Sequence, residues 1–529
     1  MEQQQDLQKR LLIALVLAFL VLVMFEMINP APTKKVDTNT TSTTQVANQT
    51  PNAVTAQSTP SSSVATAPGS NAAAPAMSIK GISTIQSDKF VITIDEIGRI
   101  AQVKLLEDKY KVEGKELELL NPNWVRPLEI RFADASLNDE ALKQPYTASA
   151  SMIDVMQGTQ TLILTQKLSA TTVTKKITFY PDGHYDLAID LSTPQQYFVT
   201  TGQRPDADHS MYMVVHGSMV RKSNGVTEII EDGDAEGSPT FPNSKFASAF
   251  DRYYASILYN FDKPINVSSL TINEDRSLLF VQGEANMAMH GYIGPKEYVT
   301  FKNINPELTE AIEYGWFTFI AAPLFKVLQW FHDHVGNWGW AIVIVTILIK
   351  LILFPLSYKG MMSMNKLKDL APKMKEIKEK YGKDPQKMNA QMMELYKKHG
   401  ANPMGGCLPL LLQIPIFFAI YRVLLNAVEL QGAEWILWIT NLSLMDPYFV
   451  LPLLMGASMW YQQKLTPNTM TDPMQQKIFQ FLPVIMTIFF IYFPAGLVLY
   501  WLVNNLFTIG QQYIINTSYE KKKALHQTN

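Results

Sequence analysis

One lysine lies in the middle of an apolar run that is long enough to cross a membrane. The run covers 19 residues from Trp340 to Tyr358, WAIVIVTILIKLILFPLSY, and its charged position is Lys350. A charge at that depth costs roughly 2.5–3.5 kcal/mol on insertion scales. The end of the run at Tyr358 is about 12 Å away along a helix, farther than a lysine stem reaches. The ammonium therefore needs either a hydrated functional cavity or a local partner that satisfies a structural charge.

Polar side chains recur in the other apolar stretches. Gln413 lies between Pro409 and Pro415, and prolines in a membrane span free backbone carbonyls that neighbours or water must satisfy. Each such residue alone is more often a contact between helices than a functional group. Their coexistence with Lys350 favours a shared polar cleft. Further polar positions in these stretches include Thr346, Ser458, Thr487, Asn504, Asn505 and Thr508.

Cysteine and histidine usage limits the chemistry that the chain can perform. The chain contains one cysteine, Cys407, which excludes an internal disulfide framework and every multi-cysteine metal site. Its eight histidines form no HExxH array, and we interpret His332 and His334 as interfacial polar residues. We therefore expect no metal, no cofactor and no catalytic residue. The net charge of −2 gives no indication of nucleic-acid binding, and no DNA partner is predicted.

The N-terminal part of the chain divides into an anchor and a linker. Residues 11–28 are an apolar run after Lys9 and Arg10, longer than a signal-peptide core and without an A-x-A site. We predict that residues 1–28 are a retained transmembrane anchor, with a cleaved signal peptide as the alternative. Residues 29–77 consist mainly of Ser, Thr, Ala, Asn, Gln and Pro, which cannot bury enough apolar surface to fold, and they predict a disordered linker.

Residues 78–305 have the alternating pattern of half-buried β-strands. The pattern recurs in KFVITIDE, PLEIRF, TQTLILTQ, TVTKKITFY, HYDLAIDL and SLLFVQG. Pro181, Asp182 and Gly183 in TFYPDGHYDLAI predict a tight hairpin turn. Many short strands with few helical patterns predict an all-β sandwich domain. The acidic run EDGDAE within it is interpreted as a solvated loop in preference to a metal site.

Aromatic and apolar residues dominate the rest of the chain. Residues 306–338 contain several aromatics in a moderately apolar helical pattern, which predicts an interfacial amphipathic helix region. Residues 339–515 contain five apolar segments that predict a five-helix membrane core, and the N-terminal anchor brings the total to six transmembrane helices. Both chain termini are then on one side of the membrane. The five predicted spans are 340–358, 407–428, 447–463, 477–493 and 495–515.

The charges of the connecting segments predict the orientation of the protein. Residues 359–402 carry eleven lysines against five acidic residues, and the tail 516–529 contains the run EKKK. The opposite loop, 429–446, has acidic residues and neither lysine nor arginine. The positive-inside rule places residues 359–402 and both termini in the cytoplasm and the β domain outside. The lysines also suit anionic lipid headgroups or ribosomal RNA as partners.

The lysine-rich segment 359–402 predicts a helical hairpin. Apolar residues spaced three and four apart form the seam of a coiled-coil arm, GKDP breaks it, and a second stripe follows on the returning helix. The methionines between Met361 and Met393 either fill this seam or offer a pliable surface to apolar partners. The first stripe consists of Leu367, Leu370, Met374, Ile377 and Tyr381, and the second of Met388, Met392 and Leu395.

Four stretches carry a resemblance to a known family: TILIKLILFPL, NPMGGCLPLLLQIPIFFAIY, DPMQQKIFQFLPVIMTIFF and FPAGLVLYWLVNN. The block from Gly339 to Gln512 that contains them resembles the YidC-type membrane protein insertases, in the form found in Gram-negative bacteria. The resemblance implies a five-helix core around a water-filled groove that is open to the cytoplasm and to lipid but closed on the outer side. It also implies that the β domain is a super-sandwich similar to galactose mutarotases.

The resemblance further implies a location and a set of partners. The location is the bacterial inner membrane, with the β domain in the periplasm. The partners are nascent membrane proteins, the Sec translocon, and the ribosome bound through the cytoplasmic hairpin and the basic tail. One position departs from the family pattern, because the family usually has arginine at the groove charge. Lys350 keeps the charge but lacks the planar, bidentate donor fork. A smaller departure is Trp501, beside Tyr500, where many relatives carry paired tyrosines.

The resemblance leads to a hypothesis of insertion without covalent chemistry. Lys350 attracts the acidic outer segment of a client protein, while water and polar groups lower the cost of moving that segment partway across the membrane. The apolar segment of the client slides along the outer helices into lipid. The groove is expected to be lined by Thr346, Gln413, Tyr500 and Trp501, with Ile414, Pro415 and Phe417 along the exit path.

Three other function classes fit the sequence less well. A secondary transporter would show inverted repeats and coupled intramembrane acids, and neither is evident. An intramembrane hydrolase would need a nucleophile with a base, and no histidine lies within the predicted spans. A chaperone in which the β domain binds clients is the third alternative, and deletion of residues 80–300 separates it from the groove hypothesis.

Overall fold

The computed structural model describes residues 80–112, 114–208, 214–284, 286–382, 384–400, 408–466 and 473–527. The predicted anchor and the predicted linker lie outside the described residues. The chain divides into two compact units, and the boundary between them falls between Ile312 and Glu313. The boundary predicted from the sequence lies a few residues earlier, after residue 305. We call the described residues 80–312 the β unit and the described residues 313–527 the helical unit.

The described residues of the β unit form eighteen strands and two short helices, and the prediction of a β-rich domain is confirmed. The helices are α1 (Ala135–Ala141) and α2 (Tyr298–Ile304). The strands are β1 (Gly81–Gln86), β2 (Phe90–Asp95), β3 (Ile100–Leu105), β4 (Leu117–Glu118), β5 (Ile130–Phe132), β6 (Thr147–Ala148), β7 (Met152–Asp154), β8 (Gln160–Lys167), β9 (Thr172–Phe179), β10 (His184–Leu191), β11 (Tyr197–Thr200), β12 (Gly217–Lys222), β13 (Thr227–Glu231), β14 (Thr240–Phe250), β15 (Tyr254–Tyr259), β16 (Ile265–Ile272), β17 (Arg276–Gln282) and β18 (Asn286–Pro295).

The strands build a five-stranded and a thirteen-stranded sheet. The smaller sheet has the order β4-β3-β2-β1-β7, in which β1 and β7 are parallel. The larger sheet has the order β5-β11-β17-β16-β14-β15-β18-β10-β9-β8-β6, with β12 beside β14 and β13 beside β12. Along β10, buried residues alternate with half-buried ones, as expected for a strand with one face in the core.

The predicted hairpin turn at Pro181, Asp182 and Gly183 is confirmed. The turn joins β9 to β10, which pair antiparallel with Phe179 opposite Tyr185. Gly183 has a φ of 91°, a left-handed conformation that glycine adopts without the steric cost of a Cβ. The local sequence therefore sets the register of this part of the larger sheet.

The described residues of the helical unit form eight helices. Gly336, with a φ of 71°, ends the first of them in a left-handed cap. The last helix packs against four of the others. The helices are α3 (Thr318–Val335), α4 (Trp338–Ile352), α5 (Phe354–Tyr381), α6 (Pro385–Lys398), α7 (Leu408–Asn426), α8 (Val450–Leu465), α9 (Pro473–Phe490) and α10 (Ala495–Gln527).

The predicted span 340–358 is not a single helix, which corrects the sequence analysis. Helix α4 ends at Ile352 and α5 begins at Phe354, with a bend of 63° between them. Pro355 lies in the first turn of α5, where its missing N–H and its ring prevent α4 from continuing straight. Lys350 is therefore in the last turn of α4, next to the break.

Helix length and apolar content give a further result on the membrane spans. In the described part of the chain, no helix taken alone is both long and apolar enough to cross a membrane, whereas the bent pair of α4 and α5 meets that criterion jointly. Two shorter helical stretches are apolar, Gln413–Asn426 and Lys477–Phe490. The number and the bounds of the predicted spans therefore stay predictions.

The last helix is longer than predicted. The sequence predicts that the final span ends at residue 515 and that 516–529 form a separate tail, but α10 runs without a break from Ala495 to Gln527. The segment that follows residue 515, NTSYEKKKALHQ, contains neither proline nor glycine to stop the helix. The basic run EKKK is therefore presented on a helix that continues from the core.

Helices α5 and α6 pack against each other through part of the predicted seam. Leu367 and Leu370 on α5 are buried, and Met374, Leu395 and Tyr396 pack against them. The Asp384 side chain accepts a hydrogen bond from the Lys387 N–H and so caps the start of α6. The side of the membrane on which these two helices lie stays a prediction.

Candidate functional site

Three helices bring polar side chains together around Lys350. Its Nζ donates hydrogen bonds to Gln413 Oε1 on α7 at 3.2 Å and to Thr508 Oγ1 on α10 at 3.0 Å. Lys350 and Gln413, two of the residues predicted to share a groove, are therefore in direct contact. We call Lys350, Gln413, Asn504 and Thr508 the Lys350 cluster.

Asn504 holds both partners of the ammonium in place. Gln413 Nε2 donates to Asn504 Oδ1 at 2.7 Å, so the Gln413 carbonyl oxygen is left to accept from Lys350. Thr508 Oγ1 donates to the main-chain oxygen of Asn504 at 2.7 Å, one helical turn earlier, and keeps a lone pair for the ammonium. Both acceptors of the charge are thus neutral side chains whose orientation is set by α10.

The charge of Lys350 is buried but not neutralised. The residue is 7% exposed, and no carboxylate among the described residues pairs with it. Neutral hydroxyl and amide oxygens stabilise an ammonium less than a carboxylate does, and the burial of an unpaired charge is costly. Such a site attracts an anionic group that can exchange with Gln413 or Thr508.

Thr346 and Tyr500 lie one turn from members of the cluster. Thr346 precedes Lys350 by four residues on α4, is buried, and donates from Oγ1 to the main-chain oxygen of Ile342 at 2.7 Å. Tyr500 precedes Asn504 by four residues on α10 and is buried. Residues four apart share a helix face, so both side chains extend the polar face toward the start of their helices.

Trp501 and Phe417 belong to an aromatic group next to the cluster. Their ring centroids are 4.7 Å apart in an edge-to-face arrangement, and Trp501 also contacts Phe490 at 4.9 Å. Trp501, predicted to line the polar groove, is therefore packed by aromatic rings contributed by α7 and α9. Ile414 and Pro415 are half-buried on α7, between Gln413 and Phe417.

Asn504 and Thr508 were recognised in the sequence as polar but were not selected as site residues. Their spacing of four residues on α10 places them on one helix face, and this was the signal that could have found them. Asn505 lies on a different face, where its Nδ2 donates to Ser458 Oγ at 3.2 Å. Spacing thus separates the residues that contact Lys350 from those that join helices.

His332, His334 and Asp232, all considered in the sequence analysis, have structural partners. His332 stacks on Trp338 with ring centroids 4.0 Å apart, and the ring centroids of His334 and Trp330 are 4.2 Å apart. In the acidic loop of the β unit, Asp232 pairs with an arginine, whose Nε lies 2.6 Å away. Across the described ranges, no group of three His, Cys, Asp or Glu side chains is arranged to hold a metal ion.

Comparisons with known proteins bear on both units. A protein-family model described as the 60Kd inner membrane protein matches residues 330–523, and one described as the YidC periplasmic domain matches residues 247–327. A protein of Campylobacter jejuni named membrane protein insertase YidC is 50% identical over 522 residues, covering 97% of this chain and 97% of its own. The chain belongs to the YidC family.

Other members of the YidC family match over most of their length. The Wolinella succinogenes protein of the same name is 52% identical and covers 84% of this chain and 83% of its own. A Helicobacter pylori protein, also of the same name, is 49% identical and covers 85% of this chain and 86% of its own. A solved structure, described as an active YidC insertase with its first transmembrane domain resolved, is 20% identical, covers 82% of this chain and 94% of that chain, and has a TM-score of 0.36.

Membership of the YidC family fixes the cellular setting of the site. The chain is an inner-membrane protein with a periplasmic domain, as the two matching family models describe. All four residues of the Lys350 cluster lie within the segment that matches the inner membrane protein model. In this YidC-family protein, the buried ammonium is therefore part of the membrane-associated segment.

Proposed function

We propose that this protein inserts integral proteins into the inner membrane and helps them fold and assemble, through a hydrophilic groove that carries the charge of Lys350. The observation that carries the proposal is the buried ammonium held only by the neutral side chains of Gln413 and Thr508 among the described residues. A charge stabilised in this way is ready to bind an anion. The names of the relatives, membrane protein insertase YidC, support the same function.

With respect to the described residues, the ammonium offers a client one donor without a partner and two donors that can exchange partners. It has three N–H groups, of which two are engaged by described residues. An acidic residue in the outer segment of a client takes the third and competes for the other two. At 4 Å and an effective dielectric of 20, the attraction is worth about 4 kcal/mol before desolvation. This is comparable with the cost of one charge in the membrane, so Lys350 assists insertion without covalent chemistry.

The remaining site residues take two roles in the proposal. Thr346 and Tyr500 extend the polar lining beside Lys350 and Gln413, because each lies one turn from a member of the cluster. The apolar segment of the client leaves past α7 into lipid. The residues along this exit path are Ile414, Pro415 and Phe417, and Trp501 forms the aromatic wall against which Phe417 packs.

The orientation follows from the distribution of charge. We propose that residues 359–402 and both termini face the cytoplasm, that the β unit lies in the periplasm, and that the five-helix core and the N-terminal anchor together cross the membrane six times, with the bent pair of α4 and α5 in place of the first core span. The lysine excess of 359–402 and of the end of α10 supports this orientation. The same lysines suit the ribosome and anionic lipids. The Sec translocon is a proposed partner on the resemblance alone.

Site-specific photocrosslinking to a nascent membrane protein on stalled ribosomes tests the proposed groove. A photoreactive side chain at 346, 413 or 500 is expected to capture the nascent chain. The control position is Ile488 on α9, an exposed apolar residue outside the Lys350 cluster. Equal capture at Ile488 and at the three groove positions, or capture at none of them, contradicts the proposal.

A further inference from the structure

Helix α10 continues its polar face beyond the Lys350 cluster. Asn504, Thr508 and Gln511 are spaced by four and three residues on α10. Seven residues turn a helix by about two full turns, so Gln511 lies within about 20° of Asn504 around the axis. It lies about 10 Å beyond Asn504 and about 4.5 Å beyond Thr508, toward the C-terminal end of α10. Gln511 therefore shares the face that contacts Lys350.

The amide of Gln511 is buried and unused. The residue is 3% exposed, and neither Oε1 nor Nε2 has a hydrogen-bond partner among the described residues. A buried amide without partners has lost its hydrogen bonds to water and gains none in the folded chain. The folded protein therefore gains no stability from this polar group, and an apolar side chain of similar size would suit the position better.

Neighbouring polar residues on α10 have partners on other helices. Gln512 Nε2 donates to Thr466 Oγ1 at 2.9 Å, next to the end of α8. Asn516 Oδ1 accepts from Asn365 Nδ2 on α5 at 2.8 Å. These side chains join helices to one another. Gln511 differs from them because both ends of its amide are left for a group that the folded chain does not supply.

We propose that Gln511 binds the peptide backbone of the client's hydrophilic segment as it passes Lys350. The inference rests on the proposed insertase function and names a second recognition chemistry in the same groove. A primary amide has one acceptor and two donors, which complement the C=O and N–H of an extended chain. Extended residues rise by about 3.3 Å each, so adjacent residues of one segment reach the levels of Thr508 and Gln511 together. Lys350 recognises acidic clients, whereas Gln511 binds a feature common to all clients.

Two substitutions in the full-length protein test the role of Gln511. Gln511→Leu is expected to leave the thermal unfolding temperature unchanged or higher, because it removes an unsatisfied buried amide. In proteoliposomes, it is expected to lower the insertion of neutral and acidic clients alike by about 2- to 10-fold, the equivalent of one hydrogen bond. The matched control, Gln512→Leu, loses its bond to Thr466 and is expected to lower the unfolding temperature.

The outcomes separate this inference from the proposed function. Lys350→Gln, measured in parallel, is expected to lower the insertion of acidic clients more than that of neutral ones. If Gln511→Leu inserts clients normally while Lys350→Gln loses the preference for acidic clients, the inference is overturned and the proposed function is kept. A lower unfolding temperature for Gln511→Leu also overturns it, since that result gives Gln511 a structural partner. Normal insertion by both variants overturns the proposed function as well.

Discussion

Lys175 in the β unit and Lys350 in the helical unit are both buried, and the two side chains are held in different ways. Lys175 on β9 is fully buried, and its Nζ donates to the main-chain oxygens of Gly98 at 2.9 Å and Leu128 at 2.8 Å. Lys350 on α4 is held by the side chains of Gln413 and Thr508. Backbone carbonyls are fixed by the fold, whereas side chains rotate and exchange partners. The comparison separates a lysine that completes a fold from a lysine whose charge is kept available.

The surroundings of the two lysines widen the difference. Near Lys175, the carboxylate of Asp95 contacts Arg99 at 2.9 Å and Arg126 at 2.7 Å, and Glu129 contacts Arg99 at 2.8 Å and Arg131 at 3.0 Å. The charged residues around Lys175 are thus paired with one another, whereas Lys175 itself donates to carbonyl oxygens. Around Lys350, the described residues supply no such acid. Ion pairs between buried residues favour one rigid arrangement. Because no such pair holds Lys350 among the described residues, its charge stays available to a client.

The largest expected effect is the loss of stability on removing Lys175. Lys175→Met keeps most of the side-chain volume but leaves the buried carbonyls of Gly98 and Leu128 without their donor. We expect the free energy of unfolding of the β unit to fall by about 2–5 kcal/mol. Hydrogen exchange of strand amides in the full-length protein measures it. The matched control is Lys176→Met at the exposed neighbour, expected within about 0.5 kcal/mol of the wild type.

The second expected effect is a pH dependence that Lys175 confers. Burial lowers the pKa of Lys175 from 10.5 to about 7. The unfolded chain then binds more protons than the folded one between pH 7 and pH 10.5, so the stability of the β unit rises with pH in this window. The slope is at most about 1.4 kcal/mol per pH unit. Lys175→Met is expected to lack this rise. If the free energy of unfolding changed with pH equally in the wild type and in Lys175→Met, the buried lysine would not be its cause.

A smaller effect is expected from the matching substitution in the helical unit. In Lys350→Met, Gln413 keeps its bond to Asn504, and Thr508 keeps its bond to the Asn504 main-chain oxygen. Removal of the charge loses two hydrogen bonds but also removes the cost of burying a charge without an acidic partner. The free energy of unfolding, measured by thermal unfolding, is therefore expected to change by no more than about 1 kcal/mol. A loss as large as that of Lys175→Met would remove the distinction between the two lysines.

The smallest effect is expected at a half-exposed pair between α5 and α10. The Asp369 carboxylate accepts from Lys523 Nζ and from Tyr519 Oη, both at 2.8 Å. Because solvent screens this pair, Asp369→Asn is expected to lower stability by less than about 1 kcal/mol. Hydrogen exchange at the end of α10 measures the change. A loss comparable to that at Lys175 would show that pairing strength does not follow burial in this protein.

Local patterns predicted some of these features and could have predicted more. The hairpin turn at Gly183 and the polar environment of Lys350 follow from residue type and spacing. Lys175 lies between Val173 and Ile177 on the alternating inward face of TVTKKITFY, so its burial was visible in the pattern but went unrecognised. Gln511 lies with Asn504 in the predicted span 495–515, so its helix face was visible in the spacing. That its amide has no partner among the described residues depends on packing, which the spacing does not encode.

Other features depend on contacts between distant segments. The order of the thirteen-stranded sheet places β11 between β5 and β17, and strand patterns alone do not encode such partners. Trp501 has the amphipathic character of a groove residue, but packing against Phe417 and Phe490 decides its place. The break between α4 and α5 is not visible in hydropathy, because the apolar run continues on both sides of Pro355. The effect of Pro355 is on the backbone, where it prevents one straight helix.

The central claim is that the charge of Lys350 acts directly on clients. The measurement is the insertion yield in proteoliposomes of one client whose outer segment is varied from basic through neutral to acidic. Wild type and Lys350→Arg are expected to favour the acidic form, Lys350→Gln to lose the preference, and Lys350→Glu to reverse it. The same dependence on client charge in all four proteins, or full rescue of a depletion strain by Lys350→Glu, would contradict the account.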